Sequence, residues 1–225
     1  MMTTNVPLST QTLSVLKNFS QINPSIVVKK GNVLKTISSA ENIISVATIE
    51  EEFPQDFSIY ELNQFIAGLS LFENPILIFD NADYLTIKDS TSSRRVKYYF
   101  SDPSITLKSA PDKGVKFPGG NINFTITHEG ITSLLKANSV YNLPDLTFNA
   151  TDGEITLAVG DRENDTSNTY EQVIAGETTG DYKLQMKIEN LRLLPGDYSV
   201  KISEFLISEW KHTKLDVVYY IALEP

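Results

Sequence analysis

Two halves of this 225-residue chain repeat one local pattern. A helical run ending at Leu16-Lys17 is followed by Pro24, an apolar strand, Gly31 and a second strand. The same order returns as Leu135-Lys136, Pro144, a strand, Gly153 and a strand, offset by 119, 120 and 122 positions. A repeat of this length implies two similar domains, each with its own core, in place of one large one. The length agrees, since 225 residues suffice for two cores of ordinary size. Duplicated domains of this kind suggest a curved, symmetric object that acts through shape more than through bond chemistry.

Composition narrows the function classes. Hydrophobic content of 41% with 21% charged residues is that of a globular protein, and no apolar run reaches membrane-spanning length. The start, Met1-Met2-Thr3-Thr4-Asn5, lacks the basic and apolar regions of a signal peptide, so an intracellular setting is expected. The chain has no cysteine, which removes thiol nucleophiles, disulfides and thiolate metal sites. The net charge of −9 argues against a surface that is basic throughout, although a local basic lining remains open. Up to Pro118 there are 11 basic and 12 acidic residues, and after it 8 and 16, so the second half carries nearly all the net charge. Either solubility or repulsion of stray DNA accounts for that acidity.

Periodicity places a helix over residues 9–21, with Leu13, Leu16 and Phe19 inward and Gln11, Ser14, Lys17, Asn18 and Gln21 outward. Strands are expected at 25–28, 33–38 and 43–49, a second helix at 59–71 with Leu62, Phe65, Ile66 and Leu69 inward, then strands at 76–79, 84–88 and 95–100. The stretch SDPSITLKSAPDKGVKFPGG (101–120) reads as an extended connector. Domains are therefore expected at 1–104 and 119–225, joined by residues 105–118. After the connector come a strand at 122–127, a helix at 129–141 with Ile131, Leu134, Leu135 and Val140 inward, and strands at 145–149, 154–159, 169–175 and 182–186. A short helix over 188–194 and strands at 198–203, 205–210 and 215–223 complete an α+β chain with four helices.

No catalytic constellation is present. His128 and His212 read as surface residues without a nucleophile motif nearby, and Gly119-Gly120 lacks the lysine of a phosphate loop. Asp161, Glu163 and Asp165 imitate a calcium loop, yet Thr166 stands where its glycine belongs and Gln172 where its last glutamate belongs. Sequons at Asn18, Asn123, Asn149 and Asn164 carry no weight without secretion. Trp210 reads as packed. What remains is the polar side of the helices, where Lys17, Asn18, Gln21, Asn63, Gln64, Lys136, Asn138, Lys187, Asn190 and Arg192 include no acid. The helix acids, Glu61, Glu129 and Glu189, lie toward helix starts, where the macrodipole favours them. An ordinary solvated face and a phosphate-facing lining both fit this pattern.

Five segments carry a resemblance: LKNFSQIN (16–23), IYELNQFIAGLSL (59–71), DPSITLKSAPDKGVKFP (102–118), LLPGDY (193–198) and VVYYIALE (217–224). Together they resemble the T4-type bacteriophage sliding clamps, DNA polymerase processivity factors, in order along nearly the whole chain. Two departures show: the chain stops at Pro225 without the longer polar tail of that family, and the middle of the second domain matches more loosely.

The resemblance implies a DNA-clamp fold, with two domains of two helices each packed on antiparallel sheets, and three copies closing head to tail around duplex DNA. It implies a tether for the replicative polymerase, loading by a separate clamp-loader ATPase, contacts with late-transcription factors, and residence in the cytoplasm of the infected host. It implies no enzymatic activity, cofactor, metal or membrane. The ten polar helix residues named above would face DNA. Tyr98, Tyr99, Phe100, Val173 and Ile174 would form the subunit joint. Ile105, Leu107, Pro111, Val115, Phe117, Tyr220, Ile221, Leu223 and Pro225 would line a groove for client tails. The rival reading is a duplicated β-rich structural or interaction module that never binds DNA.

Overall fold

The computed structural model describes residues 4–89, 93–102, 108–164 and 166–224. The chain divides into two compact units, Met1–Asp112 and Lys113–Pro225.

In the first unit, β1 (Thr4–Pro7), β6 (Ile76–Phe79), β7 (Tyr84–Lys88) and β8 (Arg95–Tyr99) form an antiparallel sheet in the order β1-β6-β7-β8. β2 (Ile26–Val28) pairs with β5 (Phe57–Ile59), and β3 (Gly31–Ile37) with β4 (Ile43–Phe53). Helix α1 (Thr10–Ile22) begins where the Ser9 hydroxyl accepts from the Thr12 amide at 3.2 Å. The Glu51 carboxylate, from β4, accepts from both the Ser9 amide and the Thr12 hydroxyl, tying that helix start to the sheet. Val15, Leu16, Phe19 and Ile22 bury the apolar side of α1. Helix α2 (Leu62–Leu69) buries Leu62, Phe65 and Leu69. It starts three residues later than the periodicity suggests, because Phe57, Ser58 and Ile59 are all buried in β5.

In the second unit, β13 (Gly176–Thr178), β9 (Ile122–Ile126), β15 (Tyr198–Ser203), β16 (Ile207–His212) and β17 (Val217–Ala222) lie side by side in that order. A separate sheet runs β12-β11-β10-β14, from β10 (Asp145–Thr151), β11 (Glu154–Gly160), β12 (Tyr170–Ile174) and β14 (Tyr182–Lys187). The repeat is visible in this plan: β9-β15-β16-β17 reproduces β1-β6-β7-β8, and β12-β11-β10-β14 reproduces β4-β3 with β2-β5. One difference stands out, because β10 and β11 share a seven-residue ladder while β2 and β3 share none. Beside that seam the first unit holds a cavity of about 310 Å³, bordered by Val27, Val33, Lys35 and Ala110.

Helix α3 (His128–Tyr141) is capped by the Thr127 hydroxyl, which accepts from the Gly130 amide at 3.1 Å, and ends at Asn142 in the left-handed conformation. Ile131, Leu134 and Ala137 are buried, but Val140 is 58% exposed, correcting its inward placement. Among the described residues the fourth helix is a 3₁₀ turn, Ile188–Asn190. The buried apolar side chains of this segment, Ile188, Leu191 and Leu194, recur every third residue, a spacing that drifts off one face of an α-helix. Tyr198 and Tyr219 then hold the chain beyond that turn, the first donating to the Leu194 carbonyl at 2.7 Å and the second accepting from the Leu194 amide at 3.1 Å. Trp210 is fully buried against Phe124, Phe148 and Tyr198, as its reading as a packed residue anticipates.

Candidate functional surfaces

The helices and the 3₁₀ turn separate the polar lining candidates into exposed and committed groups. Lys17 and Gln21 on α1, Asn63 and Gln64 on α2, and Lys136 on α3 are exposed. Lys17 and Lys136 occupy equivalent places in the repeat, each directly after the leucine that matches its partner's. Asn18 and Asn190, in contrast, are buried, so neither offers its amide to a ligand at the surface. Asn138 is half-buried, and its Nδ2 donates to the Leu143 carbonyl at 2.7 Å, serving the end of α3. Arg192 is half-buried, with Nε donating to the Glu189 carbonyl at 3.3 Å.

Lys187 is also committed. Its Nζ lies 2.6 Å from Oδ1 of Asp145, whose side chain is 4% exposed, and the other carboxylate oxygen accepts from the Arg162 amide at 3.0 Å. The Arg162 guanidinium reaches Glu224 at 2.8 Å. The hydrogen bond that Lys187 donates to Asp145 raises the Lys187 pKa above the ordinary lysine value, with the charges of Asp145 and Glu224 adding to the effect against desolvation and the Arg162 charge. The charge of Lys187 is therefore largely spent inside the unit.

The proposed joint residues fall on two sheet edges. β8 ends the sheet of the first unit, and β12 ends the β12-β11-β10-β14 sheet of the second. Alternation sorts their side chains. Tyr98 packs edge-on against Phe65 at 5.0 Å and Phe100 tilts on Phe57 at 5.5 Å, so both belong largely to the inner side of their own unit. Burial raises the Tyr98 pKa, with a smaller push from Glu61. Ile174 is half-buried, whereas Tyr99 and Val173 are both more than 60% exposed. Arg95 and Lys97 share the outer face with Tyr99, and Lys97 Nζ sits 4.1 Å from the centroid of the Tyr84 ring.

The groove candidates divide in the same way. Ile105, Leu107 and Pro225 lie outside the described residues. Pro111 is exposed, and its carbonyl accepts from Lys35 Nζ at 3.4 Å. In β17 the residues Val217, Tyr219 and Ile221 face the core, while Val218 and Tyr220 are half-buried and Ala222 exposed. Ile221 and Leu223 are therefore core residues, correcting their placement in a surface groove. Phe117 and Tyr220 tilt against each other at 6.4 Å, with Val115 half-buried two residues before Phe117. Burial raises the Tyr220 pKa, with Glu209 contributing through charge and a hydrogen bond. Phe205, expected in a strand, lies instead in a turn, 71% exposed beside Leu206, whose carbonyl accepts the Leu223 amide. An apolar side chain in that turn has no strand face to bury it.

The residues weighed and set aside as chemistry behave mostly as structure. His212 is buried, against the expectation of a surface residue. Its Nδ1 accepts the amides of Lys214 and Leu215, so Nε2 carries the proton and donates to the Pro195 carbonyl at 3.3 Å. Asp161 accepts from the Glu163 amide within a turn, and Asp165 lies outside the described residues. No group of three or more metal-ligating side chains, and no helix long and apolar enough to cross a membrane, occurs among the described residues.

With this geometry in place, comparison with known proteins is decisive. The sequence profile of the family described as DNA polymerase processivity factor matches residues 9–97. The chain is 30% identical over 224 residues to the sliding clamp of Vibrio phage KVP40, covering 96% of this chain and 98% of that one. It is 27% identical over 199 residues to the sliding clamp of Enterobacteria phage T4, covering 86% and 85%. The fold is similar to that of proliferating cellular nuclear antigen from Entamoeba histolytica, with a TM-score of 0.76, 12% identity and 98% of each chain covered. It is likewise similar to the A. fulgidus PCNA solved with the C-terminal region of FEN-1 bound, with a TM-score of 0.75, 11% identity and coverage of 100% and 99%. The chain belongs to the sliding clamps of T4-like phages, and its function is that of a clamp in phage DNA replication. The rival reading as a module that never binds DNA is not favoured.

Proposed function

We propose that three copies of this chain close head to tail into a ring that encircles duplex DNA and tethers the replicative polymerase. One observation carries this reading: each unit of a duplicated fold ends in an open, partly apolar sheet edge, and a head-to-tail contact between unlike edges repeats until the ring closes. The exposed lining is sparse and blind to sequence, made of Lys17, Lys136 and the amides of Gln21, Asn63 and Gln64. Such contacts hold phosphates without reading bases, which permits sliding. The acidic remainder of the surface repels DNA that is not threaded.

Clients dock at an apolar patch made by Val115, Phe117 and Tyr220, and the polymerase C-terminal peptide is the first of them. The likeness to a PCNA solved with the C-terminal region of FEN-1 bound supports a tail-docking mode. A separate loader ATPase opens the ring, late-transcription factors share the patch, and the host cytoplasm is the setting. The chain itself breaks no bond and needs no cofactor. Light scattering at micromolar concentration tests the assembly: three chain masses support the ring, and a monomer at all concentrations refutes it.

A further inference from the structure

The open edges of β8 and β12 carry enough information to set how two chains join. In β8 the Phe100 amide donates to the Asp83 carbonyl at 2.8 Å, so the even-numbered residues aim their backbone groups at β7. Arg95, Lys97 and Tyr99 therefore direct their N–H and C=O groups to the free edge. In the second unit, β10 and β11 meet at the two-residue turn Asp152-Gly153, with φ of 52° and 83°, which makes Thr151 and Glu154 a hydrogen-bonded pair. Counting along β11, Ile155, Leu157 and Val159 aim at β12. Their partners there are Ile174, Gln172 and Tyr170, which leaves Glu171 and Val173 aiming outward.

Opposed residues in an antiparallel pair share a sheet face and aim their backbone groups either both at each other or both away. Both conditions are met when odd residues of β8 oppose odd residues of β12, since these are also the exposed ones on each strand. Two registers overlap the strands well. One opposes Lys97 to Glu171, Arg95 to Val173 and Tyr99 to Thr169. The other opposes Lys97 to Val173, Tyr99 to Glu171 and Arg95 to Ala175. Charge selects the first. Glu171 makes no hydrogen bond or ion pair among the described residues, and Lys97 has only the faces of Tyr84 and Tyr99, at 4.1 and 5.8 Å. Opposite charges placed across a ladder stabilise it.

We propose that, where β8 of one copy runs antiparallel to β12 of the next, the register is the one that opposes Lys97 to Glu171. This rests on the ring reading above and adds the register and the charge pair that defines it. Absence of native cysteine makes the register measurable. Chains carrying Val96→Cys are mixed with chains carrying Gln172→Cys, so that any covalent dimer is intermolecular. In the proposed register these two residues form a non-hydrogen-bonded pair with Cα atoms about 4.5 Å apart, within disulfide reach. Mild oxidation should link them, and should not link Val96→Cys to Ile174→Cys, the pair that the other register brings together.

Charge reversal gives a second readout. Lys97→Glu or Glu171→Lys alone should weaken trimer formation at least about tenfold, because like charges then face each other across the joint. A chain carrying both reversals should recover most of the loss. A covalent dimer only with Ile174→Cys, or no recovery in the double variant, overturns the pairing. If wild type is a trimer yet neither cysteine pair links, the joint lies elsewhere while the ring stands. A monomeric wild type removes both.

Discussion

Replacing Lys187 by Met separates a structural lysine from a DNA-facing one. The substitution keeps the apolar stem and removes the charge that sits 2.6 Å from Asp145. An exposed pair contributes at most about 1 kcal/mol. Breaking a fully buried one costs about 3–5 kcal/mol, because the remaining charge is stranded. Lys187 is about one-third exposed while Asp145 is 4% exposed, and the carboxylate keeps its bond from the Arg162 amide. The cost should fall between these limits, at about 2 kcal/mol. For a chain of this length that corresponds to a melting shift of about 4–8 °C.

The sign with pH follows from the raised Lys187 pKa. Stability from a lysine whose folded pKa is raised is fully present below its unfolded value, about 10.4, and is lost as pH rises through the folded one. The gap between wild type and Lys187→Met should therefore hold at neutral pH and close above that range. Melting followed by circular dichroism at matched protein concentration measures the gap, and DNA association over a salt series supplies the second readout. The salt slope should not change. A melting point within about 1 °C of wild type, together with a slope flatter by about 0.9, the value of one phosphate contact, would refute the structural assignment.

Other substitutions should act in the complementary sense. Lys17→Ala with Lys136→Ala should leave melting and trimer mass unchanged while flattening the salt dependence of DNA association by about 1.8 per chain, checked by the same titration. Phe117→Ala should weaken the polymerase C-terminal peptide by at least about 1 kcal/mol in a titration against matched rings, with little change in melting. Leu223→Ala, by contrast, should lower stability by about 2–5 kcal/mol in a denaturant titration, as expected for a buried leucine. Gly196→Ala should cost about 1–3 kcal/mol in the same titration, because its φ is +154° and a Cβ there would lie 2.1 Å from His212 Nε2.

Periodicity located most elements because it was strong where burial is one-sided. The strands at 76–79, 84–88 and 198–203 match their observed bounds, and the helices around Leu16 and Leu134 lie where the repeat placed them. Failures cluster where that signal is mute. In VVYYIALE both faces of β17 carry apolar residues, so alternation could not tell Tyr220, outside, from Ile221, inside. Asn18 and Asn190 looked like surface amides, because polarity alone does not report the side of a helix or turn that the core has covered. Lys187 looked free because its partner, Asp145, is 42 residues away in sequence. The strands β1, β5 and β13, of three or four residues each, are too short for alternation to register. The family resemblance supplied what local pattern could not, namely that the duplicated units belong to a clamp.

Retention on DNA of different topology tests topological tethering most directly. Protein loaded with the proposed loader ATPase onto a nicked circular plasmid is washed in high salt, which suppresses phosphate contacts, and the plasmid is then cut once. The account predicts that the protein stays on the circle through the wash and leaves after linearisation. Release from the intact circle at high salt, or equal retention on circular and linear DNA, would contradict it.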